Sequence, residues 1–173
     1  MKLKKLVPAA LSLALVLSLA ACGSSSSSES NELYVGTEAG FAPYEYMSGD
    51  QVVGVDMDIA QAIADKMGKT LVIKNMDFDG ALNAVQQGQV DFVAAGVSVD
   101  EERQKVMDFS HNYVDSSEVV VVNKDANPLT AVDDLSGKVV GVQQGNIADM
   151  WVSDSYPDAE VKRYTKFVQA AED

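Results

Sequence analysis

Three residues in one short segment, Gly96, Ser98 and Arg103, have the types and spacing needed to bind a small anion. They follow an apolar run, 90–97, of the kind that forms a buried parallel strand. A guanidinium can hold a carboxylate through two parallel hydrogen bonds, and glycine lets a ligand approach the backbone closely. The segment therefore predicts a carboxylate-binding site where a strand passes into a helix.

A simpler interpretation of the same segment stays open. Asp100, followed by two glutamates, predicts a helix start with acids in its first turn. Arg103 would then be a solvated helix residue that pairs with Asp100 or Glu101, and Ser98 would be an ordinary turn residue. The spacing of these residues is compatible with both interpretations.

The elements that would position this segment alternate between strand and helix. Strands are predicted at 33–36, 71–73 and 90–97, and helices begin near Asp56 and Ala81. Such alternation with short connections predicts an α/β fold with a mostly parallel sheet, and ligands bind such sheets beyond the carboxyl ends of the strands. Asp56 and Asp58 are expected to cap backbone N–H groups of their helix rather than to bind calcium.

A second strand–glycine–helix unit follows near the end of the sequence. It consists of a strand at 139–142, the turn 143–146 and a helix from Ile147, with a further strand at 161–164. Two strands are fewer than the three or more that independent stability requires. We therefore expect the sequence to lack its C-terminal part.

Composition excludes several classes of partner. The net charge is −13, and the 10 basic residues beyond the first 21 positions stand against 26 acidic ones, which leaves −16. Nucleic acids and anionic lipid surfaces require a basic face, so neither is an expected partner. Cys22 is the only cysteine and His111 the only histidine, so we expect no internal disulfide, no metal site, no cofactor and no catalytic triad.

The N-terminus reads as a targeting segment. Lysines precede an apolar stretch at 6–20 that is too short to span a membrane, and small residues lead to Cys22. Residues 1–21 resemble a bacterial lipoprotein signal peptide, which implies a lipid on Cys22, and 22–31 read as a Ser-rich tether. An ordinary secretory leader that ends in cysteine is the alternative.

Beyond the leader, the sequence resembles the bacterial extracellular solute-binding proteins of family 3, the amino-acid-binding components of ABC importers. The resemblance covers residues 33–173 and rests on five motifs in order. They are Gly36-Thr37-Glu38 with Phe41, Pro43 and Tyr44; Gly54-Val55-Asp56-Met57-Asp58-Ile59; Ala95-Gly96-Val97-Ser98 with Glu102-Arg103; Asp108-Phe109-Ser110 with Tyr113; and Gly141-Val142-Gln143-Gln144-Gly145.

The resemblance implies a periplasmic-binding-protein-like type II fold, in which two α/β lobes joined by a hinge close on a ligand. Lobe one would span 32–117 without its C-terminal return, a hinge strand would span 118–124, and a partial lobe two would span 125–173. The second lobe and the return to the first would be truncated.

The resemblance also assigns roles in ligand binding. Phe41 and Phe78 would form aromatic walls, and Glu38 would face the cleft. The Gly96 carbonyl and the Ser98 hydroxyl would contact the ligand, while Arg103 would pair with its α-carboxylate. From lobe two, the cleft positions would be Gln143, Asn146 and Ile147, the last through its backbone N–H.

The expected function is capture of an L-amino acid, with a polar or neutral side chain, and its delivery to an ABC permease. The protein would be a monomer, exported and anchored by lipid to the membrane, facing the periplasm or the extracellular space, and not an enzyme. Two alternatives stay open. One is an enzyme like the cyclic-carboxylate dehydratases of this fold, for which Glu38 is the only acid–base candidate, and the other is a surface adhesin.

Overall fold

The computed structural model describes residues 31–123, 125, 129, 131 and 135–173. The signal peptide, Cys22 and all but the last residue of the tether lie outside the described residues, so their assignments stay predictions. In chain order the elements are β1 (Glu32–Thr37), β2 (Gly40–Phe41), β3 (Glu45–Ser48), β4 (Gln51–Val53), α1 (Val55–Met67), β5 (Thr70–Asn75), α2 (Phe78–Gln86), β6 (Phe92–Val93), a 3-10 turn (Arg103–Lys105), β7 (Val139–Gln143), α3 (Ile147–Ser155), β8 (Glu160–Tyr164) and α4 (Phe167–Glu172).

The first sheet is parallel and has the strand order β5-β1-β6. Its central strand β1 is buried along most of its length, as expected for a strand with helices on its faces. Helix α2 covers the sheet with Phe78 and Leu82, which form a core cluster with Ala95. The carboxyl ends of β1 and β6 therefore point to the same edge, followed by Glu38 and by the segment 94–103.

The part of the chain between β1 and α1 forms a small antiparallel sheet, β2-β3-β4. Its register pairs Met47 with Val52 across the turn that Ser48, Gly49 and Asp50 form, and Gly49 has a φ of 61°. Strands of two to four residues are too short to show a period, so the sequence alone does not predict these three strands.

The second sheet contains β7 and β8, which pair in parallel, with α3 and α4 packed on it. The strand–glycine–helix unit at 139–147 is confirmed. Residues 31–173 form one compact unit, so the two parallel sheets belong to the same body. The predicted α/β class is thereby confirmed.

Two elements predicted for the segment 90–103 are wrong. The strand extends only over Phe92–Val93, and the left-handed φ of 55° at Gly96 excludes its continuation to Val97. The helix expected from Asp100 is a single 3-10 turn, Arg103–Lys105. The Asp100 carboxylate accepts the N–H groups of Glu102 and Arg103, which closes this turn locally.

The hinge strand expected at 118–124 is also absent from the described part of that segment, 118–123. Val119 and Val121 are 77% and 75% exposed, and none of the described strands pairs with them. A strand is stabilised by hydrogen bonds to a neighbour, so apolar, β-branched residues alone do not form one. The lobe boundaries stay a prediction. Among the described helices, none has the length and hydrophobicity to cross a membrane.

Candidate functional site

Arg103 lies buried where the two parallel sheets meet, with 7% of its surface exposed. Its Nη1 donates to the Ser98 carbonyl oxygen at 2.7 Å, and its Nη2 donates to the Gly145 carbonyl oxygen at 2.8 Å. Its Nε lies 3.1 Å from Asp100 Oδ2 in an ion pair whose geometry falls short of a hydrogen bond. Arg103 thus joins the segment after β6 to the loop after β7.

The simpler interpretation of the segment 96–103 is met only in part, and the carboxylate-binding interpretation stays a prediction. Arg103 pairs with Asp100, as the simpler one expected, yet it is buried rather than solvated. A guanidinium has five N–H groups, and within the described residues these contacts leave one on each terminal nitrogen. Two such groups are what a carboxylate needs for a two-point contact.

Aromatic rings line the same region. The guanidinium carbon of Arg103 lies 5.7 Å from the ring centroid of Phe78, which holds the charge over the ring face. Phe41 stacks on Tyr44 with centroids 5.4 Å apart and meets Phe167 edge-on at 6.1 Å. Phe41 also lies against Gly96, where a Cβ would come within 3.1 Å of the Phe41 ring. These contacts place both predicted aromatic residues beside the predicted glycine and arginine.

Glu38 and Gln143 meet from the two sheets. Gln143 Nε2 donates to Glu38 Oε2 at 3.2 Å, and the two residues are 3% and 6% exposed. Asn146 Nδ2 in turn donates to Gln143 Oε1 at 3.3 Å.

We call Glu38, Gly96, Arg103, Gln143 and Gly145 the cleft residues, because each follows or ends a parallel strand where the sheets meet.

Burial raises the pKa of Glu38, and the nearby Asp77 acts in the same direction. The hydrogen bond from Gln143 and the charge of Lys166 act the other way and lower that pKa. The Glu38 carboxyl is thus a buried acid whose charge is only partly compensated by its surroundings.

Ser98 and Asn146 make contacts within the chain, Ile147 lies where its expected role requires, and the ligand roles of all three stay predictions. Ser98 contacts Arg103 through its backbone carbonyl, and no described contact involves its hydroxyl. Asn146 caps α3, since its Oδ1 accepts the Ala148 N–H at 3.0 Å. Ile147 opens α3, so its N–H belongs to the first turn, whose N–H groups have no acceptor within the helix.

Asp149 is a site residue that the sequence analysis missed. It is 7% exposed, and its Oδ2 accepts the Gly145 N–H at 3.1 Å and the Arg163 Nε–H at 3.0 Å. Gly145 has a φ of 74°, and Asp149 fixes this left-handed residue so that its carbonyl faces Arg103. An acid in the first turn of a helix, four residues after a glycine that follows a strand, is the signal that was available.

Replacing Asp149 by alanine should destabilise the protein by about 2 kcal/mol, because the Gly145 N–H loses a charged acceptor and Arg163 its partner. Urea unfolding measures the loss. Asp154→Ala is the matched control, since Asp154 lies exposed on the same helix. Equal unfolding free energies for the two variants would contradict the assignment.

Asp56 corrects a second expectation from the sequence. It does not cap its own helix, where Gly54 occupies the cap position without a side-chain bond. The Asp56 carboxylate is 1% exposed and instead accepts the Gly96 N–H at 2.9 Å and the Tyr113 hydroxyl at 3.0 Å. Among the described residues, no group of three or more potential metal ligands converges on a point.

Comparison with known proteins gives a consistent result. The sequence model of the bacterial extracellular solute-binding proteins, family 3, matches residues 33–171. The arginine-binding extracellular protein ArtP of Bacillus subtilis is 41% identical over 138 residues, 78% of this chain and 54% of that protein. The chain thus spans about half the length of this curated relative.

Solved structures agree. The arginine-bound form of truncated ArgBP from T. maritima superposes with a TM-score of 0.78 and 38% identity, over 82% of this chain and 68% of that one. An ancestral amino-acid-binding protein, described as a precursor of cyclohexadienyl dehydratase, gives a TM-score of 0.75 and 29% identity, over 82% and 65%. These neighbours share the type II periplasmic-binding-protein-like fold. The chain belongs to the bacterial extracellular solute-binding proteins, family 3.

Proposed function

We propose that the protein binds the α-carboxylate of an L-amino acid through Arg103, between the two parallel sheets. The observation that carries the proposal is the buried guanidinium with one N–H left on each terminal nitrogen. The ligand contacts both sheets only when they are close together, so binding would stabilise the closed arrangement. The Gly96 carbonyl and the N-terminal turn of α3, which includes Ile147, supply further polar contacts.

We propose that the ligand's side chain is cationic, which replaces the polar or neutral side chain expected from the sequence. Glu38 is a carboxylate, 3% exposed and only partly compensated by Gln143 and Lys166, and a guanidinium or ammonium group would satisfy it. One relative by sequence and one by structure are named for arginine, which supports the same class. Phe41 and Phe78 offer ring faces beside such a cation.

Isothermal titration calorimetry with L-arginine, L-lysine, L-glutamine and L-glutamate tests the proposal. We expect saturable binding, tightest for one of the two cationic amino acids. Tightest binding of L-glutamine would contradict the cationic side chain and favour a neutral one, while the carboxylate site at Arg103 would still be supported. No binding by any of the four, and no thermal stabilisation by other amino acids, would contradict the proposed function and favour a surface adhesin.

Glu38→Gln tests the side-chain subsite. The substitution keeps the volume of the residue and removes its charge, so we expect affinity for L-arginine to fall at least roughly 30-fold while affinity for L-glutamine changes little. Glu101→Gln, on an exposed residue, is the control for loss of one negative charge. Because burial raises the pKa of Glu38, wild-type affinity for arginine should also fall on acidification. Equal arginine affinities for the two variants would contradict the assignment.

Membrane anchoring and permease delivery belong to the same proposal. The leader, Cys22 and the Ser-rich tether would hold the domain at the membrane surface, exported and monomeric, beside an ABC permease. Metabolic labelling with a radioactive fatty acid should mark the wild-type protein, and Cys22→Ala should abolish the label. A label that survives in Cys22→Ala would exclude lipidation at this cysteine.

An enzymatic function has one specific observation in its favour, the likeness to the dehydratase precursor. Glu38 is the only acid–base candidate among the cleft residues. Incubation of the protein with prephenate separates the two functions, because turnover would support the enzyme and amino-acid binding without turnover would support the receptor.

A further inference from the structure

A second cluster of polar groups contacts the cleft residue Gly96, and its two carboxyl groups are buried. It consists of Glu45 on β3, Asp56 in the first turn of α1, and the hydroxyl of Tyr113. Glu45 and Asp56 are each 1% exposed. One oxygen of Asp56, Oδ2, accepts both the Gly96 N–H and the Tyr113 hydroxyl.

The two carboxyl groups are within hydrogen-bonding reach of one another. Glu45 Oε2 and Asp56 Oδ1 are both buried and have no hydrogen-bond partner among the described residues. Two ionised carboxylates in this position would repel each other, and both oxygens would be left without a donor. A single proton makes one oxygen a donor and leaves the other an acceptor, which satisfies both.

The charged and titratable groups around Glu45 favour the protonated acid. Burial, the charge of Asp56 and the charge of Glu38 raise the pKa of Glu45 to about 9. Burial first, and then Asp56 and Glu45, raise the pKa of Tyr113, so its hydroxyl stays a donor to Asp56. The positive charge of Lys166 acts on Glu38, whose pKa it lowers.

We propose that Glu45 and Asp56 share one proton in the folded protein, and that the anion so retained on Asp56 positions Gly96 for ligand binding. Gly96 is left-handed and packs under Phe41, so its orientation depends on what holds its N–H. Asp56 holds that N–H and is a positioning residue, because it acts on the ligand only through Gly96. The part of the proposal that concerns the ligand rests on the proposed function.

The shared proton is tested without ligand, by the pH dependence of folding. The folded protein keeps a proton on Glu45 that the unfolded chain loses above the ordinary value of 4.5. The contribution of this proton to stability is therefore full below pH 4.5 and is lost progressively as pH rises to about 9. Between these values the unfolding constant should rise about tenfold per pH unit on this account.

Glu45→Gln supplies the comparison. The glutamine amide can donate to Asp56 in place of the acid and has no proton to lose, so the ratio of wild-type to variant unfolding constants should grow about tenfold per pH unit. Urea unfolding between about pH 6 and about pH 8 measures it. The chain has one histidine, and His111→Gln in both backgrounds removes its contribution. A ratio that does not change with pH would overturn the shared proton.

The positioning role is tested by amino-acid affinity in calorimetry at neutral pH. Asp56→Asn should weaken binding roughly tenfold, because Gly96 and Tyr113 lose an ionised acceptor. Asp58→Asn, which removes the same charge from an exposed residue of the same turn, should leave affinity unchanged, as should Glu45→Gln. Equal affinities of the Asp56 and Asp58 variants would overturn the positioning role.

Two further outcomes, an Asp56 variant that does not fold and a wild type that binds no amino acid, are interpreted separately. If the Asp56 variant does not fold, affinity of the wild type and of Glu45→Gln from about pH 8 to about pH 10 decides, since ionisation of Glu45 should weaken only the wild type. Parallel profiles would overturn the role of Asp56 in binding. If the wild type binds no amino acid, the proposed function fails, while the folding test still decides whether the proton is shared.

Discussion

Arg103→Lys should weaken amino-acid binding at least tenfold, about 1.4 kcal/mol or more, with the protein still folded. The guanidinium contacts two carbonyl oxygens on different loops and keeps one N–H on each terminal nitrogen for the ligand. A lysine ammonium is a single point with three donors and cannot reproduce this fork. Isothermal titration calorimetry measures the affinity, and circular dichroism checks the fold.

The second arginine provides a matched control for this experiment. Arg163 lies on β8, has a side chain that is 45% exposed and pairs with Asp149 outside the cleft residues. Arg163→Lys should leave affinity within a factor of about two, because lysine keeps the positive charge beside Asp149 and the Gly145 N–H stays bound to that carboxylate. If Arg103→Lys binds amino acids as tightly as the wild type does, Arg103 is not the carboxylate clamp.

Gly54→Ala should cost at least about 3 kcal/mol of folding free energy, the largest stability effect that we expect of one methyl group. Gly54 has a φ of 128°, and a Cβ there would lie 2.2 Å from the backbone oxygen of Tyr44. That oxygen is held in place, because it accepts the Asp56 N–H at 2.9 Å. The chain passes from β4 to α1 at this glycine. Because the clash is with backbone atoms, it cannot be relieved by moving a side chain.

Gly68→Ala separates the clash from the backbone preference. Gly68 ends α1 in a left-handed conformation, and no atom lies within 4 Å of the position its Cβ would take. We expect this variant to lose only about 1 kcal/mol, the ordinary penalty of a left-handed alanine. Urea unfolding of both variants tests the prediction, which fails if Gly54→Ala is no more destabilising than Gly68→Ala.

The sequence predicted the parts of this protein that depend on local periodicity. The apolar runs indicated β1, β5 and β7, and the turn that contains Gly145 marked the start of another unit. Such signals are readable because burial of one face repeats along each element. The strand ends then placed Arg103 and Glu38 near one edge without any knowledge of the packing.

The sequence did not predict the hydrogen-bond partners of the buried polar side chains. Asp56 was expected to cap its own helix but accepts the N–H of Gly96, 40 residues away. Arg103 reaches Gly145, 42 residues away, as well as its neighbour Asp100. A buried polar atom binds whichever donor or acceptor the packing leaves unpaired beside it, and that depends on elements distant in sequence.

Taken by itself, the sequence determined the α/β class, the strand–glycine–helix units and the residue types that meet in the cleft, because side-chain patterns set them within a few turns of chain. The tertiary structure decided that the segment after Gly96 makes only one 3-10 turn, that Arg103 joins two sheets, and that Asp56 accepts the N–H of Gly96. These features arise from desolvation and from competition for hydrogen bonds, which are properties of the packed chain as a whole.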